Sequence, residues 1–310
     1  MFDLVILNGT VYSGESRPEI LNIGIKGESI KYIGNESISG NESINAKGYV
    51  VTPGFIDVHT HSDLSFIVDP EADSKLVQGV TFELMGNCGM SFCSPLSKDN
   101  KYQLQERLNR YGVSKNMDWN NFDDWLNEIQ NNTPSINVAA QIGHGNLRSF
   151  VMGMEARHPT PDELAKMKHE IQKAFDQGVL GFSTGLWYAP GSYSSAEEII
   201  ELAKVASKNN ILYSSHIRSE SDDSSGLFPA HAEAIEIARR TGARVQISHV
   251  KSVGPKFWGR GYELIEGIDE ARDEGLDVAG DQYPIIGQAH QSVDACFLDG
   301  ALREGGRKRF

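Results

Sequence analysis

Residues 50–61 read VVTPGFIDVHTH, and the character of the chain changes across them. Before this run lie short alternating apolar segments, and after it strand-like and helix-like patterns take turns. The run is strand-like itself, contains Pro53-Gly54 and ends in two histidines spaced H-x-H. Residues two apart on a strand share a face, so His59 and His61 are expected side by side at the end of a first strand.

Downstream, VTFELMGN (80–87), INVAAQIG (136–143), VLGFSTG (179–185), ILYSSHI (211–217), RVQISHV (244–250) and LDVAGDQY (276–283) read as further strands. Counted from Phe55 there are seven, near residues 56, 81, 138, 180, 212, 246 and 278. Helical patterns fill the gaps. Two of them, KYQLQERLNRYG and FDDWLNEIQNN, lie in the long second connection. In residues 160–178, Thr160 and Glu163 predict a capping box with Pro161 at the first helical position. Leu164, Met167, Ile171 and Phe175 follow at helical spacing. Ser195 and Glu198 predict a second box, and Gly242 and Gly275 predict helix stops. Repeated βα units imply an α/β fold with a parallel sheet, either open or closed into a barrel.

Upstream, DLVILNGTVY (3–12) and ILNIGIKGESIKYIG (20–34) are β-rich. Residues 1–54 are too few to bury a core alone, so they are expected to form part of a small β-structure preceding a larger domain over 55–310.

Composition narrows the function. The 310 residues are 39% hydrophobic and 23% charged, with a net charge of −13. A core is readily built, while nucleic acid and anionic membrane surfaces are poor partners for so acidic a chain. The start, MFDLVILNGT, has neither a basic nor a long apolar region, so no signal peptide is expected. No apolar run is long enough to span a membrane. Three cysteines, Cys88, Cys93 and Cys296, make no disulfide framework. A cytoplasmic location is the simplest expectation.

Four of the nine histidines fall within or at the ends of predicted strands: His59 and His61 on the first, His216 on the fifth, His249 on the sixth. Cys88, in GNCG, lies just past the second. The carboxyl ends of parallel barrel strands meet at one mouth. Five imidazole and thiolate donors would then share one rim, a set suited to zinc or a similar first-row ion. His144, His158, His169, His231 and His290 are read as structural, as are Cys93 and Cys296. Trp187 and Trp258 are read as shaping loops.

PGFIDVHTHSD resembles the first-strand signature of the amidohydrolase superfamily. GNCGMSF, GFSTGLWYAPGSYSSAEE, SSHIRSE, VQISHVKS and DVAGDQYP resemble, in order, the narrower D-aminoacylase (N-acyl-D-amino-acid deacylase) family. The resemblance implies a (β/α)8 TIM-like barrel with a small β-sandwich built from both chain ends. It implies a tight zinc site at Cys88, His216 and His249, and a second, weaker metal position at His59 and His61. Relatives that bridge two metals use a carboxylated lysine on strand four. VLGFSTGLWY has none, and a Cys88 thiolate would supply the anionic ligand instead.

The implied reaction is hydrolysis of an N-acyl-D-amino acid, a small-molecule substrate, to a carboxylate and a free D-amino acid. Lys251, Tyr283, Tyr188 and Arg218 resemble substrate-side residues, with Arg218 suited to bidentate capture of a carboxylate. The family's general base is an Asp at the end of strand eight. No eighth strand is found after DQYP, so the barrel is expected to be incomplete, truncated before strand eight, with that Asp beyond Phe310. Asp281 is read as a rim residue. IIGQAHQS (285–292) departs from the family pattern and leaves the substrate side chain open. A cyclic-amide hydrolase, a D-Glu- or D-Asp-specific deacylase and an inactive metal-binding relative stay as alternatives.

Overall fold

The run at residues 50–61 is two strands, Val50–Val51 and Phe55–Asp57, and they belong to different sheets. Thr52, Pro53 and Gly54 part them, because proline cannot donate to a ladder. The structure, a computed structural model, describes residues 1–14, 17–93, 95–113, 119–223 and 225–283. His290, Cys296, the segment IIGQAHQS and the expected general base lie outside the described residues. The chain divides into two compact units, Met1–Phe55 and a second beginning at Ile56.

The first unit holds one mixed sheet of β1 (Phe2–Val11), β2 (Glu19–Lys26), β3 (Ser29–Gly34), β4 (Gly40–Asn45) and β5 (Val50–Val51). β1 pairs antiparallel with β2 and parallel with β4 and β5. Val5 and Ile23 are its buried centre. β4, GNESIN, carries a single apolar residue and so was illegible as a strand. It is placed by its ladder with β1, not by its own alternation.

The second unit alternates strand and helix as the pattern predicted. Its elements begin with β6 (Phe55–Asp57), α1 (Ser65–Val68), α2 (Asp73–Leu76) and β7 (Val80–Met85). There follow α3 (Lys98–Arg110), α4 (Phe122–Asn131), β8 (Asn137–Gly143), α5 (His144–Met152) and α6 (Pro161–Asp176). β9 (Gly181–Gly185), α7 (Ala196–Lys208), β10 (Leu212–His216), α8 (Leu227–Thr241), β11 (Arg244–Ile247), α9 (Gly261–Asp273) and β12 (Val278–Gly280) complete it. The strands lie in sequence order, and the registered pairs from β7 to β12 are all parallel. This is the α/β architecture of an incomplete TIM-like barrel with seven strands among the described residues.

The two faces of this sheet differ. Ile142, Phe182, Tyr213, Val245 and Val278 form one cross-strand row. It is buried with Met167, Ile199, Ile237, Leu264 and Ile268 of α6 to α9 in one core. The alternate row, Gly143, Ser183, Ser214, Gln246 and Ala279, is small and polar. Ser214 donates to Gln141 Oε1 at 2.9 Å, and Gln141 donates on to Asn87 Oδ1 at 2.7 Å. Buried polar groups must be paired, and this chain of amides and hydroxyls leads to the loop that carries Cys88.

The Thr160–Glu163 capping box forms in full on α6. Thr160→Ala is expected to lower stability by about 1 kcal/mol, read as a shift in the urea midpoint; an unchanged midpoint would show the cap is redundant. The second predicted box is corrected. Ser195 Oγ accepts from Glu198 N at 3.2 Å, but the Glu198 carboxylate turns inward to His144 and Arg148. A buried guanidinium is a stronger partner than an exposed amide.

Candidate metal centre

The five donors converge at or just beyond strand ends. His216 is the last residue of β10, while His249 lies two residues past β11 and Cys88 three past β7. His59 and His61 follow β6 rather than ending it, since the last residue of that strand is Asp57. Their rings nevertheless stand together, 5.7 Å apart and edge to face.

Cys88 takes a left-handed conformation at φ +55° and His249 one at φ +38°, which non-glycine residues rarely adopt. Gly86 and Gly89, at φ +76° and +70°, make the Cys88 turn possible. A Cβ on Gly86 would overlap the Gln141 carbonyl, and one on Gly89 the Gly185 amide. The turn is pinned on several sides. Tyr188 donates its hydroxyl to the Cys88 carbonyl, Gly89 N donates to Ser183 Oγ at 3.0 Å, and Gly145 N donates to Gly89 O at 2.8 Å. Asp63, in HTHSD, accepts from Gly86 N and Phe92 N at 3.3 and 3.2 Å.

Two donor groups result, His59–His61–Cys88 and Cys88–His216–His249, and within each the ligand atoms lie within 4.8 Å of one another. Cys88 Sγ belongs to both. It stands 3.3 Å from His59 Nε2 and 3.6 Å from His249 Nε2, and His249 Nε2 is 3.0 Å from His216 Nδ1. Behind this layer stand two carboxylates. Asp281 Oδ1 is 3.0 Å from His59 Nδ1, and Glu220 Oε1 is 2.9 Å from His249 Nδ1. A carboxylate beside Nδ1 is the usual support of a metal-ligating histidine.

Electrostatics favour a thiolate. Burial alone would push the Cys88 thiol up, but the charges of His59 and His61 and hydrogen bonds from His216 and His249 hold it well below its ordinary range. Burial opposes charge on His59, yet the Cys88 thiolate and Asp281 raise it to about 10. His216 is lowered, chiefly by burial. Glu220 is buried, but His249, His216 and Lys251 hold it down at about 2.

This donor set fits a metal ion. His61 Nε2 is buried with no hydrogen-bond partner among the described residues. Two imidazole nitrogens and a sulfur face one another with too few hydrogens to share unless a ring is protonated. A borderline-soft divalent cation satisfies all of them.

The substrate-side residues separate. Lys251 stands beside the cluster, its Nζ 2.9 Å from His249 Nδ1 and 2.5 Å from Glu220 Oε1. Tyr283 lies under it, the ammonium 5.9 Å from the ring centroid. Arg218 does not present an open fork: both its Nε and Nη2 donate to Glu233, at 3.0 and 2.9 Å. Tyr188 points its hydroxyl at the Cys88 backbone and its ring edge at His216, 5.2 Å away. Trp187 stacks on His216 at 6.1 Å, the rings nearly parallel, and donates to Asp223 at 2.9 Å. Trp258 is exposed, as are His158 and His169. His231 is buried in α8 and lowered to about 4 by burial. Sequence reasoning missed Glu220, whose signal was its place four residues after His216 in HIRSE, and Asp63, two residues after His61.

An amidohydrolase family profile matches residues 42–279. An N-acyl-D-glutamate deacylase of Alcaligenes xylosoxydans xylosoxydans is 36% identical over 289 residues, covering 93% of this chain and 58% of that one. The solved N-acyl-D-glutamate deacylase of Bordetella bronchiseptica, complexed with zinc and a phosphonate mimic of the tetrahedral intermediate, superposes with a TM-score of 0.80 at 34% identity. The superposition covers 92% of this chain and 59% of that one. A D-aminoacylase with a binuclear metal centre gives a TM-score of 0.81 at 32% identity over the same shares of the two chains, 92% and 59%. This chain therefore spans a little under three fifths of the length of these relatives. Among the described residues no helix is long and apolar enough to cross a membrane. With the profile spanning most of the chain and the donor set in place at the strand ends, the chain belongs to the amidohydrolase family, within its D-aminoacylase and N-acyl-D-amino-acid deacylase branch.

Proposed function

We propose that this chain supplies the metal-binding and substrate-orienting part of a zinc-dependent site that hydrolyses N-acyl-D-amino acids to a carboxylate and a free D-amino acid. The observation that carries this reading is the pair of donor groups sharing one buried cysteine at the strand ends. Cys88, His216 and His249 would hold the tighter ion, and His59 and His61 the weaker one alongside the same sulfur. Zinc in such a site supplies Lewis acidity and water activation near neutral pH.

The residues around the ion do the rest. Glu220 and Asp281 orient His249 and His59 through Nδ1. Lys251 sits beside His249, where it would receive the carboxylate of a small amino-acid substrate, with Tyr283 flanking the ammonium. Tyr188 and Trp187 both pack their rings on His216. Both carboxylates nearest the cluster among the described residues are engaged. Asp281 also accepts from Gln246 and His249 N, and Glu220 pairs with Lys251. A zinc-binding relative without turnover is the second reading, and that engagement is the observation favouring it.

The zinc-loaded protein is expected to deacylate N-acetyl-D-methionine or N-acetyl-D-glutamate and to leave the L-isomers and dihydrouracil intact. Cleavage of dihydrouracil with the D-amides untouched would overturn the substrate class. A protein that takes up no zinc would overturn the site, and a zinc-loaded but inert one would favour the second reading.

A further inference from the structure

A cavity of about 310 Å³ opens at His61 of one donor group, whereas Lys251 stands against His249 of the other. Its wall includes His61, Leu64, Val68, Met90, Phe92 and Tyr111. His61 is common to this cavity and to a donor group, so the cavity begins one imidazole from the shared sulfur. Asp63, Asp69 and Arg107 also line it, with Ser65 and Ser74. Asp63 is spent on the amides of Gly86 and Phe92, and the Arg107 guanidinium lies 5.8 Å from the Phe92 ring centroid. A second cavity of about 130 Å³, lined by polar residues such as Asp99 and Gln103 as well as by Leu104 and Met154, shares Met90, Phe92 and Arg107 with it. The partition between the two is thus partly a methionine, the most adaptable of apolar side chains.

The substituents of a trigonal carbonyl diverge. If the carbonyl of an N-acyl-amino acid lies at the cluster with its carboxylate toward Lys251, the other substituent leaves on the His61 side. That substituent is the acyl chain. An acetyl methyl would leave most of 310 Å³ to water, a volume at the lower end of what small-molecule sites enclose.

We infer that this cavity is an acyl-tail subsite, and that linear or aryl-substituted N-acyl chains longer than acetyl are preferred over acetyl. The inference rests on the proposed function for its word "acyl" but can be read by binding alone. Each methylene moved out of water strengthens binding roughly fourfold.

Carboxylates corresponding to the released acyl group are the probes. With saturating Zn²⁺, hexanoate is expected to bind this chain at least tenfold more tightly than acetate by calorimetry. Val68→Trp, which fills the cavity, should remove most of that preference. Ser65→Phe, which fills it from an exposed position of the wall, should do the same and guards against misfolding of the first variant. Equal binding of acetate and hexanoate, or a preference that survives in a folded variant, would overturn the inference. A chain-length preference without D-amide cleavage would support the subsite and overturn the function. Cleavage of N-acetyl and N-hexanoyl D-substrates at equal kcat/KM would do the reverse.

Discussion

Cys88→Ser is expected to weaken zinc binding at both donor groups, where His61→Ala and His216→Ala each weaken it at one. Cys88 Sγ is the ligand atom that the two donor groups share among the described residues. The serine hydroxyl is far weaker as an anionic ligand, because its proton is not displaced at neutral pH as a thiol's is. Removing even the carboxylate behind a ligating histidine costs roughly 10–100-fold in affinity. Losing the shared thiolate should therefore exceed about 100-fold for the tighter ion. Zinc content after dialysis against a chelator of known affinity gives the count. Cobalt substitution gives a second readout, since the sulfur-to-metal charge-transfer band should vanish in Cys88→Ser and persist in His61→Ala. A Cys88→Ser protein that keeps its zinc would place the ions elsewhere, and the shared-ligand geometry would then be incidental.

What could be read from the sequence were the parts that repeat or that mark a strand end. All seven barrel strands occur at the positions expected, because buried parallel strands are continuous apolar runs bounded by turns. His59, His61, Cys88, His216 and His249 were legible as one set because topology alone brings strand ends to one rim. The roles of their neighbours were not legible, because these depend on which way a side chain turns. Arg218 follows a ligand in sequence and was suited to a substrate carboxylate, but Glu233 of α8 takes its Nε and Nη2, and the Ser192 carbonyl accepts from its Nη1. Tyr188 was read as facing substrate and instead fixes the carbonyl of Cys88, a hundred residues earlier. The opening run was legible as strand but not as two strands, since Val50–Val51 is placed by a ladder with Thr10 and Val11. Each of these outcomes is set by a pairing distant in sequence, to which local pattern is blind.

The largest loss of stability is expected from Arg148→Met, whose partner Glu198 the sequence places in a capping box with Ser195. Arg148 and Glu198 are both buried and paired through two short hydrogen bonds of 2.7 and 2.6 Å. His144 Nε2 adds a third contact to Glu198 Oε1 at 2.9 Å, and a second guanidinium nitrogen of Arg148 donates to the Arg157 carbonyl. Burial alone would push the Glu198 carboxyl up, but His144 and Arg148 outweigh it and hold the group below the usual glutamate range. Replacing only the arginine leaves a carboxylate in the core with its cation gone, a loss of about 3–5 kcal/mol for a broken buried pair. The double variant Arg148→Met, Glu198→Met should recover much of it, because two apolar side chains leave no buried charge. The sign of the pH dependence follows from the depressed carboxyl. Its contribution is fully present above the ordinary glutamate value and is lost as pH falls through the lower folded value. The wild type should thus lose stability on acidification more steeply than the double variant. The cluster also bears on the metal centre, because α5, which begins at His144, sends Gly145 N to Gly89 O and Asn146 Oδ1 to Ser91 N at 2.8 and 2.7 Å. Those two bonds hold the chain immediately after Cys88, so loosening α5 should loosen the turn that presents the thiolate. Urea unfolding of the three proteins measures the energies; a single-variant loss below about 1 kcal/mol would mean that water or a shifted side chain has taken the place of the guanidinium.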